Sequence, residues 1–163
     1  MNYKKLWIGL ALVIILSFLV LGYYGVDIYR EAPPVPESVV TTNGEVLFSG
    51  QDIKDGQNIW QSIGGQELGT VWGHGSYLAP DWTADWLHRE ALFILERWSQ
   101  NDYGSTFNNL DNERKAGLTQ RLQNELRKNT YNKTTNQITI SNVRAEAFEN
   151  LSSYYASLFG DDP

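Results

Sequence analysis

The sequence predicts a mainly α protein: one N-terminal transmembrane helix, then a small extramembrane helical domain with minor β hairpins. Three observations carry this. Residues 6–22, LWIGLALVIILSFLVLG, hold no charge. Past residue 50, apolar residues recur at helical spacing in separate stretches. Two short runs, VVTTNGEVLF (39–48) and TYNKTTNQITI (130–140), each enclose a polar turn.

The apolar run continues through Tyr23, Tyr24 and Val26. About 20 residues rising about 1.5 Å each match a hydrocarbon core of about 30 Å. Lys4 and Lys5 precede the run and Asp27 is the first acid after it. The positive-inside rule then places the N-terminus in the cytoplasm and residues 30–163 outside. Tyr23 and Tyr24 fall where an outer aromatic belt belongs. A cleaved signal peptide is the competing reading. The apolar core is long for one, and GYYGVDIYRE lacks a small-x-small cleavage site, so a retained anchor over 1–30 is favoured. A single-pass membrane protein with its main domain on the outer side is the expectation.

EAPPVPES (31–38) is a stiff extended spacer, because successive prolines favour polyproline geometry. The domain proper is then 39–163. VVTTNGEVLF reads as a hairpin turning on Asn43-Gly44. Ser49 followed by Asp52 opens a helix to about Ile63, with Ile53 and Trp60 on one side. The glycine-rich GGQELGTVWGHG (64–75) is a loop. Pro80 or Asp81 starts the next helix, with Asp81 and Asp85 favourable to its dipole. There Leu87, Ala91, Ile94 and Trp98 make one buried stripe, while Trp82, Trp86 and Phe93 make a second apolar face. Asp85 and Arg89 can pair at i, i+4. Residues 111–128 form a more polar helix with Leu118, Leu122 and Leu126 inward. Ser141 caps a last helix whose buried side is Phe148, Leu151, Tyr155 and Leu158.

Composition removes several functions. The net charge is −6 with both signs interspersed, so the basic footprint that nucleic acid requires is missing. No cysteine is present, which excludes disulfides, thiolate metal sites, cysteine nucleophiles and a Cys-x-x-Cys-His haem attachment. The chain has two histidines, six Trp, nine Tyr and six Phe. So many amphipathic rings suit interfaces and membrane boundaries.

The densest stretch is VWGHGSYLAPDWTADWLHRE, residues 71–90. His74 lies between glycines, either a ligand to metal or haem or a turn histidine bonded to backbone. His88 and Glu90 are two apart and so point to different helix faces, which argues against an acid–base pair. Gly-x-Gly at 73–75 is not a phosphate loop, for want of a third glycine and a βαβ setting. Glycine turns can instead direct several carbonyls at a hard cation such as calcium. Trp72, Trp82 and Trp86 suit packing or docking to a partner better than catalysis, and no nucleophile–base pair occurs at a recognisable spacing.

The segments GQNIWQSIGGQELGTVWGHGSYLAPDWTADWLHRE (56–90) and RKNTYNKTTNQITISNVRAEAFENLSSYYASLFG (127–160) resemble the N-terminal extramembrane region of quinol-dependent nitric oxide reductases. These are single-chain members of the haem-copper oxidase superfamily. The resemblance implies a transmembrane helix leading into a cytochrome c-like domain that has lost its haem. In the related cytochrome c-dependent reductases the domain carries Cys-x-x-Cys-His and then Gly-x-Gly-x-Tyr-x-Ala-Pro. Here GHGSYLAPD (73–81) holds the second place, and IWQSIGGQ (59–66) stands roughly where the haem attachment would lie.

By the same resemblance, Gly75 and Tyr77 supply backbone ligands to a calcium that bridges propionates of two b-type haems. No cofactor is bound covalently in this chain; the b-type haems and the non-haem iron belong to the catalytic bundle. The implied partners are that haem-copper-oxidase-like transmembrane bundle, in the same full-length chain or a separate subunit, and the lipid bilayer. Trp72, His74, Trp82, Trp86, His88, Arg89 and Glu90 would form the docking or structural surface. The sequence resembles the front of such an enzyme, without the bundle or its ligating histidines. A second reading, from a different class, is a periplasmic binding module with a pocket of Trp60, Trp72 and Trp86.

Overall fold

The structure, a computed structural model, describes residues 3–73, 78 and 80–160. The chain divides into two compact units, Met1–Val35 and Pro36–Pro163.

The first unit is helix α1, Tyr3–Glu31, with 29 residues and a mean hydropathy of 2.5 in its most apolar window. It is long and apolar enough to cross a membrane, and none of its residues is buried by protein. Its apolar side chains are uniformly exposed, as lipid-facing ones would be. The helix stops just before the proline pair at 33–34, where ring closure removes donors and the preceding residue is forced extended.

The second unit opens with strands β1 (Ser38–Thr41) and β2 (Val46–Ser49), an antiparallel pair. Gly44 takes φ +84° in the connecting turn, a conformation glycine adopts at no steric cost. Helix α2 (Gly50–Ser62) follows at once. Its capping box is complete: the Ser49 hydroxyl accepts the Asp52 N–H at 3.2 Å, and Asp52 accepts the Ser49 N–H at 2.7 Å.

After a 3-10 turn at Gly65–Glu67, the long helix α3 (Trp82–Tyr103) begins on the Asp81 carboxylate, which accepts the Thr83 and Ala84 N–H groups. It ends on Gly104 in the left-handed region. Helix α4 is Asn112–Arg127, β3 is Tyr131–Asn132, β4 is Gln137–Ile140 and α5 is Asn142–Phe159.

The two hairpins do not stand apart. Strands β1 and β4 pair in parallel, Ser38 opposite Gln137 through Thr41 opposite Ile140, giving one four-stranded sheet in the order β2-β1-β4-β3. The core lies where α3 meets α4 and α5. Ile94, Leu95, Trp98, Leu110, Leu118, Leu122 and Ala147 are buried there, with Leu126 and Phe93 packed against them. Ile94 is fully enclosed, a burial worth about 1.5–3 kcal/mol.

Three readings need correction. Leu87 does not extend the buried stripe: it is 47 % exposed, because α5 crosses the face carrying Trp86 and Glu90. Leu158 is likewise 47 % exposed, near the end of α5. Ser141 occupies the N-cap position, yet its buried hydroxyl makes no capping bond. Trp82, Trp86 and Phe93 do share one face of α3, along which Phe93 packs against the core and the two tryptophans meet the end of α5.

Candidate functional site

The site is the N-terminal half of α3 with the strand-like segment that leads to it. Thr70 N–H donates to Pro80 O and Trp82 N–H donates to Thr70 O, both at 2.8 Å. Trp72 N–H donates to the Thr83 hydroxyl at 3.0 Å. The incoming backbone is therefore stitched to the first turn of the helix. Trp72 sits at φ +58°, rare for a bulky residue, and its side chain is 76 % exposed. Backbone held in a sparsely populated region with an outward ring is a recurrent mark of a contact surface.

On the other side of α3 the aromatic rings close inward. Trp86 stacks on Tyr155 at 5.5 Å and 13°, and tilts against Phe148 at 5.8 Å. Trp82 meets Phe159 and Tyr155 edge-on at 5.1 and 6.4 Å. Trp60 of α2 reaches Phe159 at 6.4 Å. Such pairs add about 0.5–1.5 kcal/mol beyond area. Trp82 and Trp86 thus spend much of their surface inside the domain. The Trp82 indole N–H is buried and has no hydrogen-bond partner among the described residues.

Charge is organised around the same turns. Asp85 Oδ2 accepts from Arg89 Nε at 2.8 Å and from the Tyr155 hydroxyl at 2.6 Å. Arg89, then Tyr155, hold the Asp85 carboxyl below the ordinary carboxylate range. Burial first, and the Asp85 carboxylate second, push the Tyr155 phenol up to about 12. The Arg89 guanidinium also lies 4.1 Å over the Tyr154 ring. One turn on, Glu90 is buried and accepts from Arg144 Nε of α5 at 2.7 Å. The sequence hid this bond, because Glu90 and Arg144 are 54 positions apart; the only local signal was an acid on the inner side of an apolar helix. His88 is exposed on α3.

Trp60, Trp72 and Trp86 do not line one pocket. Trp60 shares an open aromatic groove of about 460 Å³ with Trp86, and a separate one of about 620 Å³ with Trp72. His74, Gly75 and Tyr77 lie outside the described residues. Among the described residues no group of three His, Asp or Glu side chains could hold a metal ion.

The family model for the NorB cytochrome c-like domain of nitric oxide reductase matches residues 36–163. No curated protein matches the chain. A cytochrome c-like fold implies a haem attached through two cysteines and ligated by the histidine beside them. The residues present do not fit that group: there is no cysteine, and the one described histidine, His88, is exposed in mid-helix. From Pro36 onward, the chain belongs to the family of NorB cytochrome c-like domains of nitric oxide reductase, without the cysteines that would attach a haem.

Proposed function

We propose that the chain is the membrane anchor and haem-free periplasmic domain of a quinol-dependent nitric oxide reductase, which reduces nitric oxide to nitrous oxide. The observation that carries this reading is the order of its parts. A helix long and apolar enough to cross a membrane is followed at once by the family domain. Lys4 and Lys5 ahead of the span favour a cytoplasmic N-terminus in a bacterial inner membrane.

In this role the chain performs no redox step. It caps the haem-bearing transmembrane bundle on its outer side, presenting Trp72 and the neighbouring Val71, both exposed. The α3–α5 aromatic packing and the Asp85–Arg89–Tyr155 bonds hold that surface rigid. Gly75 and Tyr77 supply backbone carbonyls to a calcium shared with the bundle, ligands of a kind that hard cation accepts.

The test is affinity purification of the tagged full chain from membranes that also contain the bundle. A b-type haem spectrum and quinol-driven nitric oxide consumption should copurify, and Trp72→Ala should weaken both together. A chain always isolated alone, its deletion leaving nitric oxide consumption intact, would sink the reading. Calcium is assayed separately, by metal analysis of the purified complex before and after chelation.

A further inference from the structure

The sheet meets α3 and α5 across a space that their side chains do not fill. One row of residues runs in register across all four strands: Phe48, Val39, Ile138 and Tyr131. Trp86 and Glu90 of α3 and Arg144 and Phe148 of α5 share the same cavity, of about 470 Å³. Interiors are normally close-packed, and cavities of this size accept small ring compounds.

Its walls are chiefly apolar and aromatic; of its polar lining residues Glu90, Arg144, Lys128, Asn129 and Thr130, Glu90 alone is buried, and it is paired with Arg144. The Glu90 side chain is 7 % exposed and uses Oε1 to accept from Arg144 Nε at 2.7 Å. Glu90 Oε2 and the two terminal guanidinium nitrogens of Arg144 have no hydrogen-bond partner among the described residues. Among the described residues the buried side-chain atoms without a partner are the Trp82 indole nitrogen and the Ser141 hydroxyl, so these free Glu90 and Arg144 atoms remain accessible to a ligand. An acceptor and donors therefore stand side by side in the wall of an apolar cavity.

We propose that this cavity is a binding site for a neutral planar aromatic ring carrying an amide-type edge, with an N–H donor beside a carbonyl. The donor goes to Glu90 Oε2 and the carbonyl accepts from Arg144, while the ring lies among Phe48, Trp86 and Phe148. The charges of Glu90 and Arg144 cancel, and Lys128, the other charged residue of the lining, is exposed to water, so a neutral ligand matches the buried part of the site best. Phe48 and Phe148 are stacked at 4.9 Å and brace the two layers that form the site. The site is separate from the Trp72 surface and stands whether or not the chain serves a reductase.

The experiment uses the full chain in lipid nanodiscs, with empty nanodiscs as blank, and 2-naphthamide as probe. Saturable binding with a shift of the Trp86 indole resonance is expected. N,N-dimethyl-2-naphthamide keeps the ring and carbonyl but has no donor, and should bind about tenfold more weakly, the scale of one lost hydrogen bond to a charged group. Ile138→Trp, which fills the cavity, should abolish the saturable component. No saturable binding of 2-naphthamide, or equal binding of the two amides, overturns the proposal. Because the two amides are compared on the unaltered chain, the result does not depend on a variant folding.

Discussion

The Tyr155 hydroxyl donates to Asp85 Oδ2 at 2.6 Å, across 70 positions of sequence, and the same oxygen takes Arg89 Nε at 2.8 Å. One carboxylate oxygen thereby ties the last helix to the turn of α3 that follows Trp82. The bond also fixes the Tyr155 ring flat against Trp86, so the aromatic packing and the charged contact enforce a single arrangement.

The first prediction follows from the phenol. Its folded pKa is raised to about 12 from 10.0, so the neutral form is favoured by folding. The stability this gives is fully present below pH 10 and is lost as pH rises from there through about 12. The ceiling on the loss is about 2.7 kcal/mol, from about 1.36 kcal/mol for each pKa unit. Tyr155→Phe should be less stable at neutral pH yet show a flatter decline above pH 10. Thermal unfolding of both proteins between pH 8 and 12 checks it; parallel curves would refute it.

Asp85 gives the opposite dependence. Arg89 and Tyr155 lower its folded pKa, so its contribution is present above the ordinary aspartate range and is lost as pH falls through the lowered value. Asp85→Asn should therefore reduce the acid sensitivity of the domain while weakening it at pH 7. Denaturant midpoints from pH 7 down to pH 2 measure this, and an unchanged slope in the variant would count against it.

The buried pair of Glu90 and Arg144 predicts strong non-additivity. Glu90→Leu alone leaves Arg144 without its partner, with only 26 % of its side chain exposed to find water, and should cost about 3–5 kcal/mol. Glu90→Leu together with Arg144→Met replaces both charges by apolar groups and should recover most of that loss. A double-mutant cycle by urea denaturation reads the coupling directly. Additive losses would show that the two side chains act independently.

What could be read in the sequence was local. Ser49 and Asp52 sit three apart and cap α2 as their types require, and Asn43-Gly44 makes its turn because glycine accepts φ +84°. Asp81 starts α3, and Leu118 and Leu122 face inward on α4. What escaped was long-range. The parallel pairing of β1 with β4 joins residues 99 apart, and no spacing within either hairpin encodes it. Leu87 continues an apolar stripe, yet α5 covers the neighbouring face and leaves it exposed. Within the site, the tryptophans were visible as aromatics, but which of them turn inward depended on where α5 returned. Trp72 stays outside because its backbone is pinned by Thr83, not because of its own type.

The last prediction concerns the two glycines that let the backbone approach those tryptophans. A Cβ on Gly65 would fall on the Trp60 ring, and one on Gly69 would meet the Trp82 indole nitrogen and Pro80 O. Neither neighbour can withdraw freely: Trp60 packs on Phe159, and Pro80 O accepts the Thr70 N–H that stitches the segment to α3. Gly65→Ala and Gly69→Ala should each cost about 1–3 kcal/mol, the usual scale of overpacking. Gly117→Ala meets nothing within 4 Å and lies within α4, so it should stabilise by about 0.5–1 kcal/mol through helix propensity. Urea unfolding of the three variants compares them on one scale. Gly69→Ala should in addition weaken retention of the bundle in the copurification assay, because it displaces the segment that presents Trp72. Loss of stability without loss of retention would separate the packing role of this segment from the docking role assigned to it.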